Sequence, residues 1–343
     1  MTSLEPESWK VMEKHKSNRI ARGFSWVKPK RPFILFLTKK DWGSCSLRLS
    51  RAIRKCTDWD SSCVSYWLGN VLESELIAKY KCSPHIRRLM ARADVIIYGA
   101  SWYGWNPLNV PINRNAYLGV WHIGSGYRNE HKLYAEKCHP NVDFCFCSDD
   151  LVGLEEGVIP LQVAYDVESF EIPDRSDEPI VVGHSPSGRG KAAYAGRQMK
   201  GTQHLISAMN RLKKKYGDGI ELDIIQDVAD YDECLKRKSK CHIFYDSIQE
   251  HDNSLSMHGL STIEAAAYGS VCICRTDFHD SPIIDVKNAD DIYNVIDELM
   301  QNREKIEKIG KETRDWALRV HGYEVVAKRL ISIIESKMLG DSK

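Results

Sequence analysis

Apolar residues fall along this chain in short runs, each followed by a turn and then by a stretch in which apolar positions recur every three or four residues. Phe33-Ile-Leu-Phe-Leu37 is the first run, a buried strand. Thr38 to Cys45 supplies its turn, with Gly43 in the middle, and a helix is predicted over about Leu47–Lys55. Further strands are predicted at Cys63–Trp67, Asp94–Tyr98, Ala116–Trp121 and Asp143–Cys147, with helical patterning over 71–80 and 84–92. Val158–Val163 closes this half. Glu171 to Pro179 is rich in proline and charge and reads as a linker. A second series follows, with strands at Ile180–His184, Ile220–Ile225, His242–Tyr245 and Val271–Cys274. The helix after Lys200 places Leu205, Ile206, Met209 and Leu212 on one face. Residues 287–311 form a charged helical stretch. A last helix, about Tyr323–Lys337, carries Val325, Val326, Leu330, Ile331, Ile333 and Ile334. Strand, glycine turn and helix in repeated alternation predict an α/β protein with doubly wound sheets. At 343 residues the chain is long enough for two domains.

The second half holds the densest chemistry. Gly259-Leu-Ser-Thr-Ile-Glu264-Ala-Ala-Ala-Tyr-Gly269 reads as a loop opened by glycine, a short helix with one acid, and a glycine stop. The glycine permits close approach of a ligand. The helix start, from Leu260, Ser261 and Thr262, offers free N–H groups and a positive dipole end to an anion. Glu264 lies about a turn and a half further on, where a carboxylate accepts hydrogen bonds from a diol such as ribose. Phosphate and sugar are both served, which points to a nucleotide-sugar site. Its flanks, Ile263 and Ala265–Ala267, suggest a packed helix, where an unpaired acid is costly.

A second segment matches the first. Val181-Val-Gly-His-Ser-Pro-Ser187 runs from strand into turn, and a loop with Arg189, Lys191 and Arg197 leads to Lys200-Gly-Thr202 at the start of the amphipathic helix. A cation opposes the dipole at a helix N-terminus, so Lys200 makes sense there if an anion is present. Either Arg189 or Arg197 supplies a second cation.

His184-Ser-Pro-Ser187, Lys200-Gly-Thr202, Tyr245-Asp246 and Gly259…Glu264…Gly269 together resemble the donor domain of GT-B glycosyltransferases, in the retaining, glycogen-synthase-like branch (glycosyl transferases group 1). The resemblance is specific over about residues 180–275. It implies two Rossmann-like domains facing across a cleft, with a basic arm at 1–31, an acceptor domain at 32–171, a donor domain at 172–322 and a terminal helix at 323–343 that returns to the first domain. It implies that Lys200 and an arginine hold the donor diphosphate and that Glu264 binds the ribose. Eight residues before Glu264 the family usually carries another glutamate, and here the position is Ser256. His122, followed by Gly124-Ser-Gly126-Tyr-Arg128, resembles the family's His-Gly…Arg turn, which meets the transferred sugar or acceptor; a turn-capping histidine is the alternative. Gly43 corresponds to a glycine that lets its loop approach the donor phosphates. Expected catalytic groups are therefore His122, Lys200 and Arg189. The donor is expected at Gly43, Arg197, Lys200, Ser256, Gly259, Leu260, Ser261, Thr262 and Glu264.

The reaction so implied moves a hexosyl or pentosyl group from a nucleotide sugar, UDP-sugar first, to a hydroxyl. It proceeds with retention, without a metal and without a further cofactor. A glycan or lipid-linked glycan is the expected acceptor. A hydroxymethylated DNA base is the alternative, and a non-catalytic binding protein of the same fold is the other reading that Ser256 leaves open.

Charge bears on the acceptor. The net charge is +1, which argues for no global affinity for nucleic acid or membrane, but residues 1–31 hold 8 basic and 3 acidic side chains. Arg48, Arg51, Arg54 and Lys55 cluster on the first helix. A solvated face accounts for such a cluster; an anionic acceptor, DNA or lipid phosphate, is the functional alternative, with Arg48, Arg51 and Arg128 as contacts. The first 30 residues lack an apolar core of the signal-peptide kind, and no run of 18 apolar residues occurs. With 11 cysteines, an odd number, the expectation is reduced thiols in the cytoplasm. Cys138, His139, Cys145 and Cys147 fit no standard zinc spacing.

Overall fold

The computed structural model describes residues 31–67, 76–77, 84–101, 103–104, 112–176, 179–186, 193–226, 230–248 and 258–340. Arg189, Ser256 and all but the last residue of the basic arm lie outside these. The chain divides into two compact units. One runs to Tyr165 and resumes at Tyr323; the other is Asp166–Gly322.

The first unit is built on a parallel sheet of β1 (Phe33–Lys40), β2 (Asp60–Trp67), β3 (Leu76–Ile77), β4 (Val95–Tyr98), β5 (Tyr117–His122), β6 (Phe144–Cys147) and β7 (Ile159–Pro160). Their order is β3-β2-β1-β4-β5-β6-β7. Phe33 to Leu37 are buried throughout, as continuous apolar runs are when both faces of a parallel sheet are covered. Helices α1 (Cys45–Cys56), α2 (Pro84–Arg92) and α3 (Ser125–Lys137) belong to this unit. The expected helix over 71–80 is not formed at Leu76–Ile77, which instead pair with Val64 and Ser65 as an edge strand.

The second unit carries β8 (Ile180–His184), β9 (Ile220–Ile224), β10 (Ile243–Tyr245), β11 (Val271–Cys274) and β12 (Ile284–Asp285), all parallel, in the order β12-β11-β10-β8-β9. Its helices are α4 (Ala193–Met199), α5 (Thr202–Tyr216), α6 (Tyr231–Ser239), α7 (Leu260–Ala267), α8 (Ala289–Met300) and α9 (Arg303–His321). Leu205, Met209 and Leu212 of α5 are buried against Val182, Ile220 and Ile243, while Ile206 turns outward, 37% exposed. The long helical stretch expected over 287–311 is two helices. Asn302 breaks it, its side chain accepting from Lys305 N at 3.1 Å to cap α9.

Helix α10 (Tyr323–Gly340) completes the first unit. Trp59 Nε1 donates to Glu335 Oε1 at 3.1 Å, and Lys55 lies over the Tyr323 ring. Val326, Leu330, Ile331 and Ile334 are buried, whereas Val325 is exposed.

In both sheets the direction of strand progression reverses beside the first strand: between β1 and β4, and between β8 and β10. The carboxyl ends of strands at such a reversal are where open α/β sheets bind ligands.

Candidate active site

At the reversal in the second unit, His184 ends β8 and Tyr245 ends β10, directly paired in register. Both side chains hold the chain leaving the sheet. Burial keeps the His184 imidazole neutral, its pKa lowered to about 4. Its Nδ1–H therefore donates to the Tyr245 carbonyl (3.0 Å) and its Nε2 accepts from the Thr202 hydroxyl (2.8 Å). Tyr245 in turn donates its phenol to the Lys200 carbonyl at 2.9 Å. Gly201, which starts α5, has φ 66°, a left-handed conformation that favours glycine. Lys200 is thus placed from three sides.

The Lys200 ammonium donates to Asp246 Oδ1 at 2.5 Å. Asp246 is fully buried. Its other oxygen accepts from the Gly259 N–H and from Thr262 Oγ1 (3.0 Å). Burial alone would raise its pKa, but the Lys200 charge and these hydrogen bonds outweigh it and bring the pKa to about 2. The anion that Lys200 requires at a helix start is therefore partly internal. Sequence reasoning quoted Asp246 only as part of a motif and missed this role. Gly259 has φ −84°, so its need for glycine is steric: a Cβ there would sit 2.8 Å from Asp246 Oδ2 and 3.1 Å from Lys200 Nζ. Gly259→Ala should cost about 1–3 kcal/mol of stability by overpacking; an unchanged Tm would refute the contact.

One and a half turns along α7, Glu264 is buried. Tyr231, the first residue of α6, donates its phenol to Glu264 Oε1 at 2.6 Å, and Lys238 on the same helix donates to Oε2. Lys238 is buried as well and also reaches Ser261 Oγ at 3.2 Å. Burial lowers the Lys238 pKa, yet the neighbouring Glu264 carboxylate more than offsets this and the net shift is upward. Tyr231 and Lys238 were not singled out in the sequence, because Lys238 lies within a run of charges that reads as a solvated face. Leu260 and Ser261 are half-buried at the start of α7. Arg197 is exposed on α4 and donates to Gln226 Oε1 at 2.5 Å.

The first unit places its residues differently. Gly43, φ 60°, and Ser44, φ 55°, form a left-handed turn between β1 and α1. Arg48 is buried: its Nε donates to the Gly43 carbonyl at 3.2 Å and its guanidinium lies 4.0 Å from the centre of the Tyr165 ring. Arg51 is half-buried, and Arg54 donates to the Ser61 carbonyl at 2.8 Å. Arg128 pairs with Asp150 at 2.5 Å. His122 is fully buried, stacked on Tyr127 with ring centres 3.9 Å apart, and its Nε2 meets His139 Nε2 at 3.1 Å. Burial, then the neighbouring His139, holds its pKa well below the usual range. One of the two rings donates an N–H to the other, the tautomers deciding which. Among the described residues no group of three or more His, Cys, Asp or Glu is arranged to hold a metal ion, Cys138, His139, Cys145 and Cys147 included.

No family model and no curated protein sequence matches this chain. Solved structures do. An alpha-glucosyltransferase in complex with UDP and a 13-mer DNA containing a central A:G mismatch aligns with TM-score 0.63 at 14% identity, over 90% of this chain and 100% of that one. HepE from Anabaena, in complex with UDP and glucose, aligns with TM-score 0.58 at 11% identity, over 89% and 100%. Sucrose-phosphate synthase from Thermosynechococcus elongatus aligns with TM-score 0.58 at 13% identity, over 91% and 100%. All three share the two-sheet architecture along their whole length. The fold is GT-B. The two parallel sheets are the pair of Rossmann-like domains of a GT-B chain, and Asp166–Gly322 holds Lys200, Asp246, Gly259 and Glu264 together at a strand-order reversal.

Proposed function

We propose that this protein is a glycosyltransferase that moves a hexosyl group from a UDP-sugar, UDP-glucose first, to a hydroxyl acceptor. The observation that carries the reading is the Lys200 ammonium held by Asp246 at the start of α7, with the Glu264 carboxylate further along the same helix. The leaving UDP gains charge as the glycosidic bond breaks. Lys200, the α7 N-terminus with Leu260 and Ser261, and an arginine, Arg189 or Arg197, stabilise that charge. Glu264 accepts from the ribose hydroxyls. These groups meet the diphosphate charge without a metal. Neither carboxylate resolved at this site suits a covalent nucleophile, since Asp246 and Glu264 are each tied to a lysine. Retention is what the resemblance to the retaining branch implies, and without such a nucleophile a retaining reaction is read as front-face transfer. Structures of similar fold support the donor: alpha-glucosyltransferase and HepE have each been solved with UDP-glucose.

For the acceptor, a glycan hydroxyl remains the first reading, and one observation favours DNA: structures of the alpha-glucosyltransferase are complexes with DNA, one containing an HMU base. The basic arm at 1–31, Arg51 and Arg128 are the groups assigned to an anionic acceptor. A reducing compartment, the cytoplasm, fits the ten described cysteines, all free thiols. Among the described residues no helix is long and apolar enough to cross a membrane.

Purified protein should release UDP from UDP-glucose slowly without acceptor, by hydrolysis, and faster with the right acceptor, by transfer of the glucosyl group to its hydroxyl. Deleting the arm should leave UDP binding intact. With a hydroxymethylated duplex as acceptor, affinity should fall steeply with salt. Failure of every common nucleotide sugar to bind would overturn the donor reading, and activity on a neutral glycan that is flat across salt would overturn the DNA reading.

A further inference from the structure

We propose that Lys238 and Tyr231 are positioning residues for donor recognition: from α6 they fix the Glu264 carboxylate so that it reads the ribose diol of the nucleotide. The inference rests on the UDP-sugar reading above. Three observations support it.

First, the carboxylate is held at both oxygens from one helix. Tyr231 donates to Oε1 at 2.6 Å and Lys238 donates to Oε2. The two donors lie seven residues apart on α6, two turns, and so project from one face. A carboxylate held at only one oxygen rotates about its terminal torsion; one held at both does not.

Second, the charge is compensated where it is costly. Both Lys238 and Glu264 are buried, with side chains 2% and 5% exposed. A lone buried carboxylate takes up a proton. A protonated carboxyl has one strong acceptor fewer and is a poorer partner for two hydroxyl donors. The Lys238 ammonium sets a positive charge directly against the Glu264 carboxylate.

Third, the same ammonium bridges the helix that offers its N-terminus to phosphate. Lys238 reaches Ser261 Oγ at 3.2 Å, and Ser261 and Glu264 are i and i+3 on α7. The ribose reader and the first turn of α7 are thereby locked to one point on α6.

A purely structural ion pair predicts a different outcome. It would lower stability on removal but would not distinguish one nucleotide from another. The test is therefore a ratio. Dissociation constants for UDP and 2′-deoxy-UDP are measured by calorimetry on wild type, Tyr231→Phe, Lys238→Met and Lys238→Arg. Wild type should bind UDP at least tenfold more tightly than the deoxy nucleotide. Tyr231→Phe, which removes one hydroxyl and keeps the ring, should reduce that preference to about threefold or less. Lys238→Met should abolish it, and Lys238→Arg should restore part of it. If both nucleotides lose affinity equally in Tyr231→Phe, the positioning role is overturned while the UDP reading stands. If wild type binds no UDP, both fall together. If Lys238→Met does not fold, the Tyr231→Phe ratio decides alone.

Discussion

Replacing Lys200 by methionine should destabilise the unit Asp166–Gly322 by about 3–5 kcal/mol, because it leaves the fully buried Asp246 carboxylate without its counter-charge. The same change should lower kcat/KM for the UDP-sugar by a factor that corresponds to about 2–4 kcal/mol of lost stabilisation of the leaving diphosphate. The two effects have different origins and are separable. Adding Asp246→Asn removes the stranded charge and leaves an amide oxygen to accept from the Gly259 N–H. The double variant should regain most of the stability and none of the activity. Urea denaturation and steady-state kinetics on the three proteins check this. A double variant that recovers turnover with stability would show that Lys200 serves folding alone.

Acid should unfold the same unit early. His184 and His258 are buried and neutral, with pKa values held down to about 4 and about 3, first by burial and for His258 then by its neighbour His321. Unfolded, each titrates at 6.5. Below that value the unfolded chain binds protons that the folded chain refuses, so stability falls as pH drops. At 1.36 kcal/mol per unit, each histidine removes about 2 kcal/mol by pH 5, about 4 together. Asp246 does not contribute in this window. Its folded pKa is depressed, so its stabilisation is present above about pH 3.8 and is lost only as pH falls towards 2. Urea midpoints measured from pH 7 to pH 5 should decline steadily. A flat profile would contradict the burial of these two rings.

Much of the sheet architecture was legible because continuous apolar runs between turn residues have few other fates. Phe33–Leu37, Ile180–His184 and Val271–Cys274 all became parallel strands. Leu76–Ile77 was misread because two residues carry no periodicity of their own; their strand character comes from pairing with Val64 and Ser65. The site divides the same way. Glycine, lysine and glutamate at helix starts announce themselves through the cost of their position. Asp246, Lys238 and Tyr231 do not, since an acid after a strand and a lysine among charges look ordinary until tertiary contacts bury them. Arg48 is the converse case. Its place in a row of basic residues reads as surface, yet it is buried against Tyr165 and the Gly43 carbonyl.

The path of the chain through its two units has a consequence for synthesis. Helix α10 belongs to the first unit but is made after every described element of Asp166–Gly322. During translation, β1 to β7 emerge first and must wait, with the face of α1 that α10 covers still bare, while every element of Asp166–Gly322 is made. The later-encoded unit is thus able to close on the ribosome before the earlier one. A premature stop just after Gly322 should strand the first half of the protein, not the second, as the species that chaperones bind and proteases clear.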